Sequence, residues 1–488
     1  MSSELGHELQ VVEEKLGVEQ NGINVIPESE RKGKPRDLFW PWCAANVSVL
    51  AIGYGAYLLG FGISFAQAFI AGVIGIIFSF LLVGVVSLAG RHGSAPTMVL
   101  SRAAFGVRGN ALPTAVSYLL LVGWETVLVS LGALATATVF GELGWASGNS
   151  AKVLGFAVTA AVVIIAGILG FDLIMRLQKW ITIVTAVLTV VYIALTVDQL
   201  DAGSLQNLPS GGNAAFLGAI VFAMTGFGLG WVNSGADYSR YLPRASSGRG
   251  IVAWTTSGAS VAPLILVTYG LLLAGSNAEL RDAIYADPIG ALATVLPTWF
   301  LLPYLIVVLL GLAGGAVLDI YSSGLALLTL GLRVPRWVAA GIDGVIMILG
   351  TIYVVWLAPN FFFPFQGFLI TLGVPIAVWA GIFIADMVLR KQDYAQDALY
   401  DTTGRYRAFG WPAVSLMVLG TAVGWGLVSN TYASWLDWQG YLFGSIGVAD
   451  DSPWYFSNMG VLIALALGFL GYLVLGRAAV RRQESIDA

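Results

Sequence analysis

Long blocks of apolar residues, divided by short polar stretches, run through this chain. A membrane helix needs about 20 mostly apolar residues, and that ruler gives twelve segments. They cover residues 40–61, 64–89, 111–140, 151–171, 180–197, 213–234, 250–274, 299–330, 337–357, 362–388, 411–430 and 456–476. Numbered in chain order they are spans 1 to 12, and they predict an all-α integral membrane protein with 12 transmembrane helices. The first 36 residues are polar, without the apolar stretch or cleavage site of a signal peptide, and read as a disordered cytoplasmic tail.

Composition agrees. Of 488 residues, 57% are hydrophobic and 11% charged, against roughly 25% charged in a soluble domain. A water-soluble enzyme is excluded. A net charge of -4 leaves no basic excess for nucleic acid. One cysteine, Cys43, and two histidines, His7 and His92, leave no disulfide framework and no ligand cluster for a metal. No cofactor is expected.

The basic residues set the orientation. With the N-terminus inside, only Lys152 and Arg281 fall outside, and the other 22 of 24 lie inside. Both termini are therefore expected in the cytoplasm, with the protein multi-pass in the plasma (cell inner) membrane.

Two spans are interrupted by glycine. Span 1 reads Asn46-Val-Ser48 and then Gly53-Tyr54-Gly55; span 6 reads Gly226-Phe227-Gly228-Leu229-Gly230-Trp231. Each interior glycine costs about 1 kcal/mol relative to alanine, and unwound backbone survives in lipid only beside a cavity or inside protein. Gly-interrupted spans at matching places in two halves point to an inverted-repeat transporter and its binding site. Close helix packing through small residues is the competing reading. The division is then a tail (1–36), a first repeat (37–200, spans 1–5), a second repeat (201–390, spans 6–10), spans 11 and 12 with their preceding loop (391–476), and a cytoplasmic C-terminal tail (477–488).

Four acids lie inside spans: Glu125, Asp319, Asp343 and Asp386. Asp343 and Asp386 are near helix ends, where interfacial placement explains them. Glu125 and Asp319 sit mid-span, where an acid costs roughly 2.5–3.5 kcal/mol and marks an ion, proton or substrate path. The competing reading is an acid that ties helices together by hydrogen bonds. Trp124 adjoins Glu125, Tyr321, Ser322 and Ser323 follow Asp319, and Gln366 lies on span 10. Together these groups suit a flat heteroaromatic ligand, its ring between aromatic faces and its edge read by polar groups.

The chain resembles the nucleobase:cation symporter family, in its purine–cytosine permease branch. The resemblance rests on Trp40-Pro41-Trp42 with Asn46-Val-Ser48, on Arg102-Ala-Ala-Phe105-Gly106-Val-Arg108-Gly109, and on Gly230-Trp231-Val-Asn233 leading to Asp237-Tyr238-Ser239-Arg240-Tyr241-Leu242-Pro243. Ile320-Tyr321-Ser322, and Ala385-Asp386 leading to Leu399-Tyr400-Asp401, complete it. It implies a LeuT-type fold, a 5+5 inverted repeat plus two C-terminal helices, and secondary active import of a nucleobase by a monomer in lipid. The ligand would lie between spans 1, 3, 6 and 8. By family position, Trp124 and Glu125 of span 3 and Phe227 and Gly228 of span 6 fall at the substrate site; Trp231, second to Phe227 for stacking, and Ser322, Ser323 and Gln366 join them from the reading of the residues themselves. Asn46 and Ser48, with Glu125 and Asp319, are candidates for cation or proton coupling. Sodium-coupled relatives carry hydroxyls in span 8, where this chain has Gly314-Gly315-Ala316-Val317-Leu318. H⁺ is favoured, with Glu125 or Asp319 as proton site; Na⁺ is the alternative. Hydantoin, allantoin, uracil or a pyridine vitamin are alternative substrates, and a channel or receptor is the rival class.

Overall fold

A computed structural model describes residues 18–146, 148–358 and 362–485. Among these residues there are helices and turns and no strands. His7, Lys15 and the rest of the first 17 residues lie outside them. A helix lies on each expected span. Spans 2 to 5 are Phe65–Gly93, Ala111–Glu142, Asn149–Leu169 and Phe171–Thr196. Spans 7 to 9 are Gly248–Ser276, Leu301–Thr329 and Arg336–Ile352, the last extended by a wider turn, Tyr353–Leu357. Spans 10 to 12 are Phe362–Leu389, Trp411–Trp425 and Gly460–Leu475. By length and composition, nine helices among the described residues can cross a membrane, or up to eleven if each of two bent pairs is one crossing. Span 11, with 15 residues, is shorter than a full crossing.

Span 1 breaks into Phe39–Asn46 and Leu50–Leu59; with the turn that leads into it, it bends by 67°. The break falls at Val47 (φ -85°, ψ 66°), not at the glycines. Short polar side chains make it: the Asn46 amide donates back to the Trp42 carbonyl (2.9 Å), and the Ser48 hydroxyl accepts from the Leu50 N–H (3.3 Å). Such local bonds compete with helix continuation. Gly53 and Gly55 lie within the second half and serve close packing, because a methyl on Gly55 would meet the span 7 backbone at Gly270 and Leu271. In span 6 the expected glycine segment does open. The helix Asn213–Gly226 ends at Phe227 (φ -120°, ψ -103°), and short turns lead to Gly235–Ser239.

The helices fall into two groups. Spans 2 and 7 pack along each other and against spans 6 and 1, whereas span 3 packs along span 8 with spans 4 and 9 beside them. Span 5 touches both groups through the first half of span 1 and through span 8, and spans 10, 11 and 12 pack together to one side. Large apolar side chains such as Val190, Leu349 and Val474 remain exposed on the outer faces, as lipid contact requires.

The tail departs from the expectation. Residues 18–36 are packed against the terminal side of the bundle: the Glu19 N–H donates to Leu169 O, the Ile26 N–H to Ser94 O and the Lys32 N–H to Tyr241 O. Ile26 is fully buried. At the other end Arg477–Glu484 is a helix, bent 53° from span 12, and Glu484 accepts the Lys391 and Gln392 N–H groups.

Candidate functional site

A cavity of about 650 Å³ enters between the two groups from the side away from the termini, where Gly60, Tyr285, Pro453 and Asn458 line it. That volume suits a small organic ligand. Its deeper wall holds Tyr54, Trp124, Phe222, Thr225 and Gln366. A second pocket of about 60 Å³ continues beneath it and shares Leu50, Tyr54, Trp124 and Gly226. Asn46, Ser48, Leu128, Phe227, Trp231 and Gly311 are among the other residues that line this lower pocket. It lies where the breaks in spans 1 and 6 meet. Trp124 stands edge-on to Phe365 (5.1 Å between ring centroids), Phe227 tilts against Tyr54 (4.8 Å), and Trp231 meets Trp42 edge-on (5.9 Å).

Of the expected substrate residues, Trp124, Phe227 and Trp231 come together in the lower pocket and Gln366 lines the upper cavity. Glu125, Gly228, Ser322 and Ser323 line neither, and for these the expected placement is corrected. Neighbouring helix residues point about 100° apart, so Trp124 shares its face with Val127, Leu128 and Leu131, all of which line cavity. Glu125 turns instead toward spans 8 and 9. Gly228 packs on the span 2 backbone, its N–H donating to the Ser79 hydroxyl (3.1 Å). Ser322 contacts the Tyr238 hydroxyl (3.1 Å). Ser323 donates to Asp343. Tyr54, Tyr57 and Phe222 were not anticipated. The pairs Tyr54/Tyr57 and Phe222/Thr225, each three apart on one helix face, were the available signal.

The acids also depart from expectation. Asp343 is not interfacial: it is fully buried and accepts from Tyr118 (3.0 Å) and Ser323. Asp386 is fully buried too, accepting from Arg390 Nε (2.6 Å) and Nη2 (3.0 Å) and from the Tyr472 hydroxyl (3.1 Å). Glu125 and Asp319 are buried, and none of their four carboxyl oxygens has a hydrogen-bond partner among the described residues. The hydrogen-bonded tie between helices does not describe them.

At the span 1 break, span 8 approaches with glycines. A methyl on Gly311 would stand 2.7 Å from Val47 O, and one on Gly314 2.5 Å from Ala44 O. The Gly314 carbonyl is taken by the Gln178 amide (2.7 Å). Backbone meets backbone here, and span 8 brings no side-chain oxygen to the break.

The terminal side is closed below these pockets. Glu19 accepts from Arg240 (2.8 Å), Tyr241 (2.6 Å), Tyr321 (3.1 Å) and the Phe171 N–H (3.0 Å). Arg336 lies 3.6 Å from its other oxygen and donates to Gly167 O and Ile168 O. Burial pushes the Glu19 carboxyl up, but Arg336 and Arg240, helped by Tyr241 and Phe171, hold it below its ordinary value. One side chain from the tail thus joins spans 5, 8 and 9 and the end of span 6.

A bundle of apolar helices whose first and sixth members break around a central aromatic pocket is a membrane transporter. The chain belongs to the family described as permeases for cytosine/purines, uracil, thiamine and allantoin, which matches residues 25–444. It is 27% identical over 417 residues to the protein of Bacillus subtilis named "Putative purine-cytosine permease YxlA", covering 83% of this chain and 87% of that one. The purine-cytosine permease fcyB of Emericella nidulans matches 264 residues at 26% identity, covering 52% of this chain and 48% of that one. Among solved structures, the nucleobase-cation-symport-1 family transporter Mhp1, closed with bromovinylhydantoin bound, superimposes with a TM-score of 0.70 at 19% identity, over 95% of this chain and 98% of that one. The family and these relatives are permeases, so the chain is a transporter and not an enzyme.

Proposed function

We propose that this protein imports a nucleobase, cytosine or a purine, by symport with a cation, through alternating access. The observation that carries the reading is the lower pocket, where Trp124, Phe227 and Trp231 surround the junction of two broken helices. A planar base stacks on such faces at about 1–3 kcal/mol per base, and the Gln366 amide and the backbone freed at Phe227 offer edge contacts. The proposed arrangement is twelve crossings in a 5+5 inverted repeat plus spans 11 and 12. A monomer suffices, in the plasma (cell inner) membrane with both termini in the cytoplasm; the bias of basic residues supports that orientation.

The coupling ion in this reading is H⁺. Sodium needs a cage of oxygens, and span 8 brings none from a side chain to the span 1 break, which leaves Asn46, Ser48 and backbone carbonyls to form one. Two buried acids without partners offer a proton somewhere to go. The family description, which includes uracil and allantoin, supports a second reading in which another small heterocycle is the substrate. Uptake of radiolabelled cytosine, adenine and hypoxanthine into proteoliposomes separates these readings. Accumulation under an inward pH gradient, with no response to Na⁺, is expected. If none of the three bases is taken up or competes under either gradient, the nucleobase assignment falls.

A further inference from the structure

The buried acids of spans 3, 8 and 9 form a group of their own. Glu125 is 0% exposed, Asp319 1% and Asp343 0%, and Asp343 ties them together: it accepts from Tyr118, two turns before Glu125 on span 3, and from Ser323, one turn after Asp319 on span 8. The three helices pack mutually, so the group is enclosed by one half of the molecule and does not open into either pocket. Its other titratable neighbours are Tyr118 of span 3, bonded to Asp343, and Tyr238 at the end of span 6, bonded to Leu318 O (2.8 Å). Span 4 brings Ile164 against Gly344, and span 10 brings Phe368 against Gly123, both apolar. No ion pair among the described residues involves any of the three carboxyls.

The hydrogen bonds divide the three. Asp343 receives two donors, Tyr118 and Ser323, which is the setting of a carboxylate. Glu125 and Asp319 receive none. An ion so buried, without donor or counter-charge, costs several kcal/mol, whereas a carboxylic acid of the same shape carries no net charge.

We propose that Glu125, Asp319 and Asp343 form a proton-binding site separate from the substrate pocket, which Asp343 and Tyr118 connect to the terminal side. The inference rests on the proton-symport reading and gives it a location. The step is a relayed transfer: an O–H bond of Glu125 breaks as a water admitted between the two carboxyls takes the proton, that water gives one of its own protons to Asp343, and Asp343 passes it to water when the terminal side opens near Tyr118. Tyr118 is half-buried and lies about two turns along span 3, as Asp343 does along span 9, so both stand nearer the terminal side than Glu125. The coupling runs through span 3. Glu125 is one residue from Trp124 in the pocket wall, so a change of charge on one face of this helix moves the aromatic on the other. The site is a positioning one: it acts on the substrate through span 3 and touches no substrate.

Two measurements on the full-length protein test this. The first needs no substrate: infrared titration of the purified wild type follows the protonated-carboxyl stretch. Wild type is expected to keep a band at pH 7 that Glu125→Gln combined with Asp319→Asn removes. A band unchanged in that double variant overturns the site. The second compares proteoliposomes of wild type, Glu125→Gln, Asp319→Asn, Asp343→Asn and Tyr118→Phe. Exchange of radiolabelled base across the membrane is expected to continue in the variants, while accumulation driven by one pH unit, about tenfold for each coupled proton, falls to equilibration in the three acid variants and slows in Tyr118→Phe. Full pH-driven accumulation in all three acid variants, or wild-type accumulation driven by Na⁺ alone, overturns it. If wild type exchanges none of the bases tried, the nucleobase reading fails, and the infrared band still decides the proton site.

Discussion

Two layers of the molecule bury acids in opposite ways. Near the termini every buried acid is held by donors. Asp386 has the Arg390 fork and Tyr472, Glu19 has Arg240, two tyrosines and a backbone N–H, and Asp237 accepts from the Thr97 N–H and hydroxyl at 2.7 Å each. At mid-depth, Glu125 and Asp319 have no hydrogen-bond partner among the described residues. Both layers hold acids that are fully buried, Asp386 in one and Glu125 in the other, so burial does not explain the difference. A fixed charge needs a fixed partner, and the terminal layer supplies one for each acid to close that side. An acid whose charge changes during a cycle is poorly served by a permanent cation, which would lock one state. The same side chain is a fastener in one layer and, in the proposed proton site, a switchable group in the other.

The largest effect that sharpens this contrast is on stability. Arg390→Ala leaves Asp386 charged and buried, an outcome that costs about 3–5 kcal/mol. Asp319→Asn replaces an unpartnered acid with an amide of the same shape and should change stability by no more than about 1 kcal/mol. Thermal unfolding of the detergent-purified variants reads both. A loss in Asp319→Asn as large as in Arg390→Ala would make the mid-depth acid a fastener and erase the contrast.

Much of the fold could be read in advance because lipid imposes one rule, about 20 apolar residues per crossing, and nine helices among the described residues meet it. What pattern could not resolve was direction around each helix. Trp124 and Glu125 are adjacent in sequence, and reading them as one site ignored the turn between them; the spacing Tyr118–Glu125, seven apart, already assigned the acid to another face. Asp343 was read as interfacial from its distance to a helix end, but depth along a helix does not report which side faces protein. The glycines of span 1 were read as a break when they are packing contacts, Gly55 with span 7 and Gly53 with Ile284 and Pro288, because a glycine that yields and a glycine that packs look identical in sequence. Glu19 was invisible for a different reason. Its partners are more than 150 residues away, and a polar segment that docks onto charged loops has the composition of a free tail.

A middle-sized effect separates the closed side from the open one. Cys43, the only cysteine, lies in the terminal half of span 1 and is 5% exposed, so its reaction with a polar maleimide reports opening of that side. Glu19→Gln keeps the shape of the fastener and removes its charge against Arg240 and Arg336. If that costs the closed state about 1.4 kcal/mol, labelling of Cys43 rises about tenfold. Unchanged labelling would mean that the docked segment covers the terminal side without holding it shut.

The smallest effect is a flat line, and it separates the two layers by pH. The Glu19 carboxyl is held below its ordinary value of 4.5 by Arg336 and Arg240 against the upward push of burial. A group depressed in the folded state contributes its full stabilisation above its unfolded value and loses it as pH falls through the lower, folded one. The fastener is therefore fully charged throughout the neutral range. The ratio of Cys43 labelling in Glu19→Gln to that in wild type should hold within about twofold from pH 8 to pH 6 and fall toward one only in acid below about 4.5. Taking the ratio removes the thiol's own response to pH. A ratio that declines between pH 8 and 6 would place a titrating group in the terminal layer and end its description as fixed charge. A flat ratio, together with transport that changes over the same interval, assigns the proton response to the layer where the acids have no partners.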